Sequence, residues 1–398
     1  DWSSDVCSSD LGYEHIQTPS FEYADIFNED RGSVGAQEMF KFFDRDNNML
    51  VLRPDMTPAV ARCVAKYFMD DDMPLRLCYL ERTFKNNTSY QGYLKERAES
   101  GAELIGDDSP DADAEMIAMV IDCLKAAGLK EFQVELGEVA FYRSPLQQSG
   151  LDEDAQAQLN DLIENKNRFG VEEFLKNQDM EESLKEAFLK LPELFGGINQ
   201  IKKAKALTDN PQALAAIERL ERVHTLLEEY HMADYVSYDL GMLSRYQYYT
   251  GIIFKAYTYG TGDYIVTGGR YNKLLVQFGK DTPAVGFAIV VDQLMAALSR
   301  QQIHIPVQLV NTVILYEPSA RQSAVRLSRF FRSEGTPVQS MVMEEGKSLE
   351  DYKGMAKKRG LRTILCLKDT GNTVTAFDML TGNVDETPVS AYGVREIL

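Results

Sequence analysis

Polar and apolar positions divide the chain into elements of two periods. Met116, Ile117, Val120, Ile121 and Leu124 repeat at helical spacing behind Ser109-Pro110, with Asp111 and Asp113 in the first turn and Gly128 at the stop. Thr57-Pro58 opens another helix, with Thr57 as its cap and Pro58 at its first position. From Gly12 onward the early chain reads as strand and turn. Glu38 to Asp44 and Met49 to Leu52 bracket the turn at Asn47-Asn48, and Pro54 ends the hairpin. Phe132 to Leu136 is a strand. Further strands follow at Val236 to Asp239, Ile252 to Tyr259 and Tyr264 to Thr267, the last two joined through the hairpin signal Gly260-Thr261-Gly262-Asp263. A helix from Val291 to Arg300 closes this part.

Between about residues 142 and 234 the composition shifts to Glu, Gln, Leu, Ala and Lys, punctuated at Pro192, Gly196-Gly197 and Pro211. That is a helical insertion within a sheet domain. Beyond Pro306 a compact α/β unit is expected: strand Val313 to Tyr316, helix Ser319 to Ser333 and strand Val338 to Met343. Helix Ser348 to Arg359, strand Thr363 to Leu367 and a hairpin around Thr381-Gly382-Asn383 complete it. The expected division is a core over 12–305 and a small α/β domain over 306–398. Residues 1–11 (DWSSDVCSSDL) read as a non-native leader and stay outside the fold reasoning.

Length and charge narrow the function. A chain of 398 residues suits two domains. Its net charge of −19, from 42 basic and 61 acidic side chains, argues against a tRNA-binding surface, where phosphates call for Lys and Arg. Solubility alone explains acidity in many proteins, so the charge weakens RNA binding without excluding it. Five scattered cysteines and four histidines show no metal or disulfide spacing, and no apolar run approaches a membrane span. The reading is a cytoplasmic protein with no metal and no cofactor.

Four segments carry the chemistry: Leu52 to Thr57, Tyr79 to Gly106, Met242 to Phe254 and Thr267 to Leu294. Together they resemble the active-site motifs of histidyl-tRNA synthetase. The resemblance implies a class II synthetase-like α+β fold: an antiparallel sheet flanked by helices, with the helical insertion and a C-terminal unit in the place of an anticodon-binding domain. It also implies that Asp55 and Thr57 hold a ligand's α-ammonium, that Glu103 is the pocket glutamate, and that Tyr248, Tyr249 and Tyr271 wall in an imidazole. Glu99 stands where that family has Gln. The residue chemistry agrees separately, since an ammonium and an imidazole N–H both seek carboxylate or phenol acceptors. Taken singly, each residue fits a strand or a surface acid equally well. As an ordered set, they favour binding.

The phosphate-gripping arginines of that family fall on Lys85, Ser244 and Gln293, and an expected acid falls on Asn87. An arginine fork makes two parallel hydrogen bonds to phosphate, and a lysine ammonium does not. Arg245 sits one residue from Ser244, which in an extended segment turns it to the other face. Gly268-Gly269-Arg270-Tyr271 is the most specific fragment, since paired glycines admit close backbone approach to a ligand. Asn86-Asn87-x-Ser89-Tyr90-Gln91-Gly92 and Gly101 to Gly106 match better a paralogous family, the regulatory subunits of two-component ATP phosphoribosyltransferase. That resemblance implies a non-catalytic chain with no catalytic residues of its own. It would form a homodimer within a hetero-oligomer, pair with a short-form catalytic subunit, and bind L-histidine, in the first step of histidine biosynthesis and its feedback inhibition. The alternative is an enzyme of the synthetase type that activates histidine with ATP.

Overall fold

The computed structural model describes residues 11–27, 34–68, 70–87, 94–243, 246–303, 305, 310–369 and 371–392. Apart from Leu11 the expected leader lies outside these residues, as do Ser244, Arg245, Ser89, Tyr90, Gln91 and Gly92. The chain forms two compact units, Asp1–His304 and Ile305–Leu398.

The first unit begins with β1 (Glu14–His15), β2 (Phe21–Tyr23), β3 (Lys41–Phe43), β4 (Met49–Leu52), α1 (Thr57–Tyr67), β5 (Leu75–Phe84) and β6 (Glu96–Ile105). Then come α2 (Pro110–Ala126), β7 (Gln133–Glu138), α3 (Val139–Gln148), α4 (Glu153–Glu164), α5 (Arg168–Lys176) and α6 (Glu182–Lys190). It ends with β8 (Phe195–Gly196), α7 (Asn199–Lys205), α8 (Pro211–Glu229), β9 (Val236–Asp239), β10 (Ile252–Tyr257), β11 (Val266–Arg270), β12 (Ala284–Val290) and α9 (Val291–Arg300). Nine strands pair in the order β1-β5-β6-β12-β11-β10-β7-β9-β8. All neighbours run antiparallel except β1 with β5 and β7 with β9. The class II synthetase-like α+β arrangement expected from the motifs is the one observed.

Helix α2 shows how the sequence makes this layer. Ser109 accepts a hydrogen bond from the Ala112 N–H at 3.1 Å, capping the first turn, and Gly128 ends the helix with φ of 97°, which suits a residue without Cβ. Its predicted stripe, Met116 through Leu124, is fully buried against β6, β11 and β12. Helix α8 of the insertion packs on α2 and α3. A separate three-stranded sheet, β2-β4-β3, stands beside the main one.

Three expectations about strands needed correction. The strand read from Glu38 is only Lys41–Phe43, because Ala36–Glu38 winds into a 3-10 turn. The strand placed at Tyr264 to Thr267 lies at Val266–Arg270, since pairing with β12 aligns Gly268 with Phe287 and Gly269 with Gly286. Third, the helical insertion also supplies β8, which extends the main sheet beside β9.

In the second unit, β13 (Thr312–Tyr316), α10 (Arg321–Ser333), β14 (Val338–Val342), α11 (Leu349–Lys358), β15 (Thr363–Leu367), β16 (Thr373–Asp378) and β17 (Val384–Pro388) follow in turn. The sheet order is β14-β13-β15-β16-β17. Alternate residues of β13 serve two cores: Ile314 packs with Ala324 and Leu327 of α10, while Val313 and Leu315 pack with Tyr352 and Ala356 of α11. Ser348 and Asp351 form a reciprocal capping box at α11.

Candidate functional site

Period-two alternation along β6 puts Glu99, Gly101 and Glu103 on one face of the main sheet. Opposite them stand Glu81, Tyr79 and Leu77 of β5 on one side, and Val290, Ala288 and Gly286 of β12 on the other. The small residues keep this floor low. A Cβ on Gly286 would lie 1.6 Å from Glu103 Oε2, and one on Gly101 would lie 2.5 Å from Tyr79 Oη. The carboxylate and the ring occupy space that only glycine leaves free.

Glu103 is fully buried. Tyr271 Oη donates to its Oε2 at 2.5 Å, and Thr57 Oγ1 donates to its Oε1 at 3.0 Å. Thr57 therefore does not cap α1 with its side chain, contrary to the sequence expectation; its hydroxyl turns to Glu103 instead. The helix start is tied through Asp55, whose Oδ1 accepts the Thr57 N–H at 3.2 Å and whose Oδ2 accepts from Tyr248 Oη at 2.9 Å. Glu99 Oε1 accepts from Thr83 Oγ1 at 2.9 Å. Lys85 Nζ donates to Tyr246 Oη at 2.5 Å and lies 5.2 Å from the Tyr246 ring centroid. The Tyr246 and Tyr248 rings stack at 5.2 Å, and Tyr249 leans on Tyr248 at 4.8 Å.

Between these groups lies a narrow crevice with about 450 Å³ of empty space, its opening included. Six of the predicted residues line it: Asp55, Thr57, Lys85, Glu99, Tyr248 and Tyr249. Glu103 and Tyr271 sit beneath, joined to it through Thr57. Gln293 lies apart, in the first turn of α9 just past Val290. The sequence reading did not single out Tyr79, Arg97, Tyr246, Tyr264 or Thr267. The last four line the crevice, and Tyr79 is a buried phenol whose Oη has no hydrogen-bond partner among the described residues. Strand alternation was the signal for Tyr79 and Arg97, which share a face with Glu99 and Glu103.

Burial sets the electrostatics. It drives the Glu103 carboxyl up to about 8, against the downward pull of the Tyr271 and Thr57 hydrogen bonds and with a further push from Asp55. Asp55 and Glu99 are raised by the same loss of water, offset in part by the nearby Lys85 ammonium. Tyr79, Tyr246, Tyr248, Tyr249 and Tyr271 are all held far above the usual phenol range, burial first, so these five keep their protons. The site presents carboxyl groups and phenols together with the cations Lys85 and Arg97.

The Gly-Gly-Arg-Tyr fragment works differently from expectation. A Cβ on Gly268 would lie 2.5 Å from the Phe254 ring, and one on Gly269 2.9 Å from Tyr249, so the close approach made there is by the protein's own rings. Arg270 is 2% exposed and serves structure, its Nε donating to Asp113 Oδ1 at 2.8 Å. Arg219 of α8 shares Asp113, at 2.7 Å. Arg53, also buried, donates to Glu81 Oε2 at 2.5 Å and to backbone carbonyls.

Comparison with known proteins is consistent with this geometry. A histidyl-tRNA synthetase family profile matches residues 5–294. An ATP phosphoribosyltransferase regulatory subunit from Acetivibrio thermocellus is 35% identical over 95% of this chain and 90% of its own length. Another protein of that name, from Clostridium acetobutylicum, is 40% identical over 72% of this chain and 71% of its own. Among solved structures, one described as an ATP phosphoribosyltransferase regulatory subunit/histidyl-tRNA synthetase, from Bacillus halodurans, superposes with a TM-score of 0.78. It has 31% identity and covers 89% of this chain and 90% of its own. The histidyl-tRNA synthetase of Nostoc sp. reaches a TM-score of 0.79 over 99% of this chain and 93% of its own, but at 18% identity, a likeness of fold alone.

Proposed function

The chain belongs to the ATP phosphoribosyltransferase regulatory subunits, a family with the histidyl-tRNA synthetase fold, and from that premise we propose that it is a non-catalytic histidine sensor. In this reading it pairs in the cytoplasm with a short-form catalytic subunit for the first step of histidine biosynthesis, binds no tRNA, and brings feedback inhibition by L-histidine. The carrying observation is the make-up of the crevice. Asp55, Thr57 and Glu99 stand on its lining, with Glu103 and Tyr271 behind. Lys85 stands where the resembled synthetases have an arginine, and its ammonium already donates to Tyr246.

Charge complementarity orients the ligand. Asp55 and Glu99 receive the α-ammonium, Tyr79 Oη and the Glu103–Tyr271 pair meet the imidazole, and Lys85 with Arg97 meets the carboxylate. The narrowness of the crevice means that Tyr246, Tyr248 or Tyr249 must shift to admit a ligand. Such a shift gives histidine the differential affinity for two states that any regulation requires. A coupling of about 1–3 kcal/mol is ordinary for such a switch.

The β2-β4-β3 sheet supports the homodimer of this reading. Phe21 is 52% exposed, Tyr23 55% and Phe42 38%, and register places all three on one face with Leu50 and Leu52. An apolar aromatic face of this kind fits a two-fold interface between copies.

Calorimetry on the purified chain tests the sensor. Histidine binds the wild type, while Glu103→Gln and Tyr249→Ala each weaken it by about tenfold or more, through a disturbed Glu103–Tyr271–Thr57 hydrogen-bond network in the first and the loss of one wall in the second. Histidine-dependent ATP–pyrophosphate exchange is absent. Unchanged affinity in both variants would remove the pocket assignment, and measurable exchange would remove the non-catalytic one.

A further inference from the structure

A second, wider cleft is lined by residues of α3 and α4 and by Met242, Leu243, Tyr246 and Gln247, with about 1540 Å³ of empty space, its mouth included. Arg143 of α3 lies half-buried on its wall. Its Nη2 donates to the Tyr249 carbonyl at 3.3 Å, and no carboxylate lies within ion-pair distance of it among the described residues. In a chain of net charge −19 an unpaired, partly desolvated guanidinium is unusual. Burial disfavours its charged form, so an anion in the cleft would restore what the protein does not supply.

The neighbouring groups add donors. Asn160 of α4 accepts the Tyr142 hydroxyl with its Oδ1, which leaves its amide N–H groups to the cleft. Gln147 and Gln247 stand at the rim with further amides, and Glu153 is an exposed acid there. Tyr246 lies on the lining of both the cleft and the amino-acid crevice.

From this lining we infer that the cleft is a second ligand site, for a small metabolite bearing a phosphate or carboxylate. Arg143 grips the oxyanion and Asn160 donates beside it. An arginine fork suits both kinds of oxyanion. The proposal does not rest on the histidine reading, since neither Arg143 nor Asn160 hydrogen-bonds to Asp55, Glu99 or Glu103, although Tyr246 lines both spaces and Arg143 holds the Tyr249 carbonyl.

The test is calorimetric titration of the full chain with inorganic phosphate and, separately, succinate, at constant ionic strength set with chloride. The two arms distinguish the sources of the oxyanion. Wild type binds at least one of them saturably. Arg143→Gln weakens that binding by about tenfold or more, the worth of a charge-assisted bond, and Arg143→Lys keeps part of it. Asn160→Asp keeps the acceptor for Tyr142 but adds a negative charge, and it also weakens binding. Absence of saturable binding by either anion in wild type overturns the proposal. So does wild-type affinity in both Arg143→Gln and Asn160→Asp. Loss of histidine binding in Glu103→Gln with anion binding intact would separate the two sites.

Discussion

Glu103 has a carboxyl that burial raises to about 8, against an ordinary value of 4.5. The folded chain therefore holds that proton where the unfolded chain has released it. Between about pH 4.5 and 8 the native state binds more protons, so stability falls as pH rises through that window and levels off above it. Glu138 is also raised to about 8, chiefly by burial, and adds to the same slope. Each tenfold difference in proton affinity between the folded and unfolded chain is worth about 1.4 kcal/mol. Glu103→Gln, neutral at every pH, removes this penalty: urea unfolding is expected to find the variant little changed near pH 5 and more stable than wild type near pH 8. A constant difference across that range would contradict the buried, protonated state. At this scale the sequence named Asp55, Glu99 and Glu103 but could not distinguish Glu103, under the floor, from the two on the lining. That distinction depends on Gly286, which pairs with Glu103 across two strands far apart in the chain.

Among elements, one buried carboxylate bridges the insertion and the sheet. Asp113, fully buried near the start of α2, accepts from Arg270 of β11 and Arg219 of α8. Asp113→Asn leaves the buried Arg270 undercompensated and is expected to cost about 3 kcal/mol in urea unfolding. Glu186→Gln, at the exposed pair with Lys190, should leave stability nearly unchanged. Similar losses in both would mean that the shared carboxylate ties nothing. Sequence placed Asp113 as a first-turn acid of a helix, a favourable but minor role. Its two arginine partners lie more than a hundred residues away, beyond the reach of any local pattern. Elements with strong local signals, such as α2 with its cap, stripe and glycine stop, were legible almost to the residue. The two-residue β8 was not, because Phe195-Gly196 becomes a strand only by pairing with β9.

At the scale of the whole molecule, the chain keeps a synthetase scaffold. The apolar face of β2-β4-β3 predicts association: Phe42→Asp with Tyr23→Asp should turn a dimer into a monomer in sedimentation, and an unchanged mass would remove that face as the interface. Ordered motifs made the fold readable from sequence, but function turns on substitutions within them, and the geometry of Ser244 lies outside the described residues. The most direct measurement is the histidine response of phosphoribosyltransferase activity when this chain is combined with a short-form catalytic subunit. Wild type is expected to confer activity that histidine suppresses, and Glu103→Gln to confer activity needing about tenfold more histidine for the same suppression. Identical inhibition curves for the two chains would contradict that expectation.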